Sequence, residues 1–160
     1  MKRDNQIQLR AFQKEDIAEV LKLFYDTVTE INSRDYALEQ ITAWIQGVDE
    51  QRWLETLLIH TTLVAVIKKE IVGFADMDAS GYLDRLYIHR HHQGEGIATA
   101  LCDALEAESS ADCISVHASI TAREFFLQRG YRLIRSQQVE RQGQLLTNYV
   151  MEKVRIKYFF

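Results

Sequence analysis

The chain has 160 residues, one domain's worth, with 47% apolar and 26% charged residues and a net charge of −4, ordinary values for a soluble globular protein. No basic run exceeds Lys68-Lys69 or His89-Arg90-His91-His92, which argues against a nucleic-acid surface, and no window approaches the ~18 consecutive apolar residues of a membrane span. The N-terminus is polar and lacks a signal peptide's apolar stretch; with two cysteines, Cys102 and Cys113, read as free buried thiols, a cytoplasmic protein is expected.

In chain order, Ile7–Phe12 alternates and predicts a first strand. Lys14–Ile31 follows as an amphipathic helix with Ile17, Val20, Leu21, Phe24 and Val28 at helical spacing. After the polar break at Asn32–Asp35 come two further helices, Leu38–Ile45 and Gln51–Ile59. Three strands are then predicted, Leu63–Lys68, Ile71–Met77 and Tyr82–His89, turning at Lys69-Glu70 and Ala79-Ser80-Gly81. A glycine loop and the helix Gly96–Glu108 follow, with Ile97, Leu101 and Leu105 on one face. Ile114–Ala118 reads as a buried strand and Ile120–Arg129 as a helix whose start carries the cap residues Ser119 and Thr121. Tyr131–Glu140 and Leu145–Val154 close the chain as a hairpin through Arg141–Gln144. No proline, repeat or linker interrupts this order.

The organising stretch is Tyr82–Leu105, a strand, a tight loop and a helix. Alternation places Asp84, Leu86 and Ile88 on one face and Leu83, Arg85 and Tyr87 on the other. Between strand and helix lies Gln93-Gly94-Glu95-Gly96. Two glycines let the backbone turn sharply and approach a ligand, and the free N–H groups of the next helical turn suit a phosphate or pyrophosphate. A P-loop would need Gly-Lys-Ser/Thr, and Gly96-Ile97-Ala98 has no lysine. A dinucleotide fold would need an acidic residue at the end of the next strand, which here ends in Ser119.

Gln93-Gly94-Glu95-Gly96-Ile97-Ala98 fills the Gln/Arg-x-x-Gly-x-Gly/Ala motif, and the segment resembles the core of the GCN5-related N-acetyltransferases. That family's Ala-x-x-Phe-Tyr and Gly-Phe/Tyr are echoed by Ala122-Arg123-Glu124-Phe125-Phe126 and Gly130-Tyr131. Further likeness to a group of bacterial members lies in Ser33-Arg34-Asp35-Tyr36, Glu39-Gln40, Ala43-Trp44, Gly73-Phe74-Ala75-Asp76, Leu146-Thr147-Asn148-Tyr149 and Met151-Glu152-Lys153. The resemblance covers nearly the whole chain. It implies one α/β domain over residues 1–160, a mixed, mostly antiparallel sheet flanked by helices, that moves an acetyl group from acetyl-CoA to an amine.

The resemblance also implies roles. Leu86, Tyr87 and Ile88 would meet the pantetheine arm, with Leu86 and Ile88 offering main-chain groups. Gln93, Gly94, Glu95, Gly96, Ile97, Ala98 and Thr99 would hold the pyrophosphate, and Arg90 would lie near the phosphates. Ser119 stands where the family has an asparagine that hydrogen-bonds the pantetheine. Asp84, two residues before Leu86, is the candidate base. Among apolar neighbours its carboxylate is either buried or lines a cleft where it can take a proton, and a purely structural pairing with Arg85, Arg90 or a hydroxyl stands beside that reading. Phe126 occupies the position of the family's acidic tyrosine without its hydroxyl. The thiolate would then leave unaided or take its proton from Tyr131, Tyr149 or His117, and an inactive acyl-CoA-binding module is the competing reading. Asp35, Tyr36 and Trp44 are expected to line the acceptor cleft, for a small-molecule or protein amine. No metal is expected, since the adjacent histidines of residues 89–92 do not converge on one ion. A homodimer stays open.

Overall fold

The computed structural model describes residues 6–155; the first five residues, part of the polar N-terminus read above, lie outside it. Seven strands form one sheet in the order β1-β2-β3-β4-β5-β7-β6. They are β1 Gln8–Ala11, β2 Thr61–Ile67, β3 Glu70–Met77, β4 Tyr82–Ile88, β5 Cys113–Ser119, β6 Arg132–Arg141 and β7 Gln144–Val154. All neighbours pair antiparallel except β4 and β5, which are parallel. The helices are α1 Ile17–Glu30, α2 Leu38–Gln46, α3 Glu50–Ile59, α4 Ile97–Glu108 and α5 Arg123–Gln128. The mixed, mostly antiparallel sheet flanked by helices expected from sequence is the fold observed.

Each sheet face buries its own core. Leu101, Cys102 and Leu105 of α4 and Phe126 of α5 pack with Ala65, Val72, Ala75, Leu83 and Met151 on one face. Val20, Phe24 and Val28 of α1, Ile41 of α2 and Leu57 of α3 pack with Val64 and Phe74 on the other. The central strand β3 serves both, which explains why its side chains from Ile71 to Met77 are buried without alternation in polarity. In α1 the buried stripe includes Leu23 and Thr27 rather than the expected Leu21. Thr27 is buried because its hydroxyl donates to the Ile88 carbonyl at 2.9 Å, tying α1 to the end of β4. The last helix begins at Arg123, later than Ile120, because Ser119 Oγ accepts the Ala122 N–H at 3.1 Å and holds the preceding residues in a turn.

The parallel pair determines the shape of the middle of the molecule. β4 and β5 pair only at Tyr82 with Ser115 and Leu83 with Val116. Beyond Leu83 the two strands part, and α4, the crossover between them, starts beside the gap. β3 lets α4 come close through Gly73. A Cβ there would stand 2.8 Å from Ile97 Cγ2, 3.1 Å from Ile88 Cδ1 and 3.3 Å from Leu101 Cδ1.

Because Ile97 opens α4, an added methyl at Gly73 must push the helix start outward. Gly73→Ala is expected to lower unfolding free energy by about 1–3 kcal/mol, the usual range for an overpacked core. Urea titration followed by circular dichroism measures it, and an unchanged midpoint would contradict the close approach of α4.

Candidate active site

A cleft of about 340 Å³ opens where β4 and β5 separate. Leu86, Tyr87 and Ile88 line it from β4, Gln93, Gly94 and Gly96 from the loop, and Ile97, Ala98 and Thr99 from α4. Ser119 and Phe125 close it from the far side, with Thr27, Asn32, His92 and Thr121 at its margins. Gly94 and Gly96 have φ of +73° and +83°, and a Cβ on either would meet nothing within 4 Å. These positions are glycine because the backbone is left-handed in front of open space, not because the interior is crowded.

The first bond of α4 runs from the Ala100 N–H to the Gly96 carbonyl at 3.0 Å. The amides of Ile97, Ala98 and Thr99 therefore have no intrahelical acceptor. No side chain caps this end, and the first turn holds no acidic residue. Nothing in the helix itself offsets the positive end of its dipole, which suits an anion such as a pyrophosphate.

The side chains around the loop brace it. Gln93 Nε2 donates to the Ile88 carbonyl at 2.8 Å and lies 3.4 Å from that of His89. With Thr27 on the same oxygen, the Ile88 carbonyl already has two donors, which corrects the expectation that it serves a ligand. Leu86 differs. Tyr87 pairs with Phe74 and the His89 N–H donates to Val72, so alternation turns Leu86's main-chain groups away from β3, toward the gap left by β5. Glu95 is absent from the lining; its carboxylate lies 3.0 Å from His92. Arg90 pairs with Glu30 and not with the cleft. The rings of His91 and His92 pack 5.5 and 5.4 Å from that of His89, the first tilted and the second edge to face.

A β-bulge sets the position of Asp84. Asp76 pairs with Arg85 and Met77 with Leu83, so Asp84 is the extra residue on β4. The expected alternation fails there. Leu83 and Leu86 both pack on the α4 side, and Asp84 does not share a face with Leu86 and Ile88. Its carboxylate lines a second, smaller cavity of about 130 Å³ with Tyr36, Trp44, Tyr82 and His117. Tyr87 and Ser119 line both this cavity and the cleft, so the two spaces meet at those residues.

Behind Asp84 lies a buried charge cluster. Asp76 is fully buried and receives both the Arg85 guanidinium and His60 Nδ1, the latter at 2.8 Å. Burial pushes the Asp76 carboxyl up from its ordinary value, Asp84 adding to this and Arg85 opposing it. Arg85 lies 3.5 Å from Asp84 and stacks over Trp53 at 4.6 Å. His60, Asp76 and Asp84 offer ligand atoms within 4.8 Å of one another, a spacing that could hold a cation. The guanidinium of Arg85 already supplies positive charge there.

Several expected site residues stand elsewhere. Asp35 is not in the small cavity's lining; its carboxylate accepts from Thr121 Oγ1 at 2.8 Å. Tyr36 and Trp44 do line it, ring edge to face at 5.4 Å. Tyr36 is held fast, its hydroxyl donating to the Thr147 carbonyl at 2.7 Å and accepting the Ile120 N–H at 2.8 Å. Phe126 is not at the cleft: it is 1% exposed, packed between Phe125 and Tyr131, while Phe125 takes the lining position. Tyr131 is buried against Glu106, 3.0 Å from its hydroxyl, and Tyr149 lies under Arg123. Of the three proton donors weighed, only His117 lines the small cavity. Burial, reinforced by Arg135 and opposed by Asp84, pulls its imidazole below its ordinary value. Tyr82 of β4 and Arg141, Thr147 and Asn148 of the hairpin also line that cavity, none of them expected there from sequence. Thr147 and Asn148 enter the sequence reading only within a family-like segment, and Arg141 only as a turn residue.

An anion loop, a free strand edge and a carboxylate-bearing side cavity that meet at one point define an acyltransferase of the kind that draws on an acyl nucleotide thioester. Residues 32–153 match the family model of the acetyltransferase (GNAT) domain. The uncharacterized N-acetyltransferase YafP of Escherichia coli (strain K12) is 36% identical over 147 residues, 92% of this chain and 95% of that protein. A crystal structure of a GCN5-related N-acetyltransferase from Rhodopseudomonas palustris is similar with a TM-score of 0.88 and 33% identity, covering 92% of this chain and 94% of that one. The fold is also shared by yncA of Salmonella typhimurium, solved with acetyl-CoA, at a TM-score of 0.70 and 18% identity over 97% of each chain. The chain belongs to the GCN5-related N-acetyltransferase family, whose members are acyltransferases that use acetyl-CoA.

The burial of Phe126 has a direct consequence. Phe126→Tyr restores the family's hydroxyl but puts it into the core without a partner. Stability is expected to fall by about 1–3 kcal/mol with no gain in turnover. Thermal melting and steady-state rates check both, and a rise in kcat would place this side chain at the cleft after all.

Proposed function

We propose that the protein transfers the acetyl group to a primary amine held in the small cavity, with Asp84 as the base. The observation that carries this is the meeting of the cleft and the cavity at Tyr87 and Ser119. An amine whose nitrogen is near Asp84 then lies on the path to the strand edge at Leu86. Acetyl-CoA, when bound, supplies a thioester whose carbonyl carbon accepts the nitrogen. The residues present fit such a donor: open glycines for the backbone to approach, an uncapped helix start for the pyrophosphate and an apolar wall for the arm.

The roles follow from position. Ile97, Ala98 and Thr99 present amides to the pyrophosphate. Leu86 N–H, turned away from β3, would be the donor for the thioester oxygen, where charge develops in the transition state. Ser119 Oγ accepts from Ala122, which leaves its O–H to donate into the junction of the two spaces. Asp84 takes the ammonium proton, and its side chain is 31% exposed, enough to pass that proton to water. Arg85 and His60, fixed on buried Asp76, keep the carboxylate in place from behind.

The acceptor is a small-molecule or protein amine. A cytoplasmic setting is our reading of the free cysteines, Cys102 being buried with its thiol pushed up to about 12. The free edge of β6, with Leu133 and Ile134 exposed, supports a homodimer. We read residues 1–160 as one domain, because the single sheet takes strands from both ends of the described chain.

Asp84→Asn keeps size and hydrogen bonding and removes basicity. Acetyl-CoA affinity by calorimetry is expected to stay near normal while turnover at neutral pH falls about 10²–10⁴-fold. The loss should shrink as pH rises toward the acceptor amine's own pKa, where free amine needs no base. A folded variant that binds acetyl-CoA and turns over at the wild-type rate at pH 7 would remove Asp84 from catalysis.

A further inference from the structure

The small cavity has a composition that narrows the acceptor. Its walls are aromatic, from Tyr36, Trp44, Tyr82 and Tyr87, and its volume is about 130 Å³, below the ~300–1,000 Å³ of sites for drug-sized ligands. It holds one carboxylate, Asp84 of β4, and one guanidinium, Arg141 at the end of β6. Both charges act on the Tyr82 hydroxyl: burial pushes the phenol up to about 12, Asp84 adds to this and Arg141 opposes it. Arg141 makes no ion pair among the described residues. Its one side-chain hydrogen bond there is a 3.3 Å contact from Nη1 to its neighbour Glu140's carbonyl, so most of its donors have no protein acceptor among the described residues. Asn148 Oδ1, also in a lining residue, is buried without a hydrogen-bond partner.

A protein lysine or a simple amine would bring one positive charge to this cavity and leave the guanidinium unanswered. A zwitterion answers both charges. We propose, building on the transferase reading above, that the acceptor is a small free amino acid or close analogue. Its ammonium faces Asp84, its carboxylate faces Arg141, and an apolar or aromatic side chain lies against Tyr36, Trp44 and Leu146. Arg141 is then a specificity residue. Its planar fork suits a carboxylate. In the reaction the ammonium gives one proton to Asp84, the nitrogen forms a bond to the acetyl carbon and the carbon–sulfur bond breaks. The sulfur leaves with that electron pair and takes up the second proton that the nitrogen sheds, giving an N-acetyl amino acid and free thiol.

The test compares proteinogenic amino acids with the amines made by removing their carboxylate, such as leucine with 3-methylbutylamine and phenylalanine with phenethylamine. Thiol release from acetyl-CoA is followed at fixed pH, with coenzyme A binding measured alongside. At least one carboxylated member should exceed its partner in kcat/KM by about tenfold or more, mostly through KM. Arg141→Gln, an exposed position where folding is not at risk, should collapse that ratio toward one. Arg141→Lys should keep part of it. Transfer to the decarboxylated amines with every amino acid inert would overturn the proposal while leaving the transferase reading intact. So would a ratio that Arg141→Gln does not change. Absence of transfer to either class, with coenzyme A bound, would overturn both readings together.

Discussion

Two neighbouring parallel strands that pair at only two positions shape everything that matters for chemistry in this molecule. Main-chain N–H and C=O groups are obligatory hydrogen-bonding groups, and a strand that loses its neighbour must find other partners. β4 loses β5 after Leu83. The Ile88 carbonyl is taken by Thr27 and Gln93, and the main-chain groups of Leu86 are left facing the gap. The same parting opens space for the uncapped start of α4 on one side and for the Tyr36–Trp44 cavity on the other. The site is the consequence of a sheet that cannot close.

The bulge at Asp84 belongs to the same region. An extra residue on one strand increases local twist and re-aims a side chain. Here it turns a carboxylate out of the α4-side core and into the cavity. Arg85, the next residue, reaches the other way to Asp76, so one irregularity supplies both the exposed acid and the cation behind it. That pairing is costly to disturb from one side. Removing the guanidinium from fully buried Asp76 would leave an uncompensated buried charge, a change that typically costs 3–5 kcal/mol. The stacking of Arg85 on Trp53 fixes its plane and with it the position of Asp84.

The sequence made the elements and the loop legible because each carries local chemistry. Gly94 and Gly96 announce a left-handed loop, and Ile97, Leu101 and Leu105 announce the helix that follows. Tyr36 and Trp44 line the small cavity, whose use for an acceptor is a proposal. Asp84 lines it too, on the face opposite to the one that alternation gives, since a bulge has no signature in an alternating strand. The exchange of Phe126 for Phe125 at the cleft has a similar cause. α5 starts at Arg123 after a Ser119 turn rather than at Ile120, and a helix face read without its true start is rotated. Asp35 looked like a lining acid and instead fastens Thr121 across 86 residues of sequence, a contact no spacing rule shows. Arg141 was invisible for the same reason, being a turn residue until the hairpin folds back over α2.

The central claim is that the donor nucleotide is held by main-chain groups at the parted strands. Titrating ¹⁵N-labelled protein with coenzyme A and following amide resonances tests it most directly. The account predicts that the amides of Gly94, Gly96, Ile97, Ala98, Thr99 and Leu86 shift together with one affinity. Shifts confined instead to the recess lined by Asp103, Glu106, Arg129, Lys153 and Arg155, with the loop amides unmoved, would contradict it.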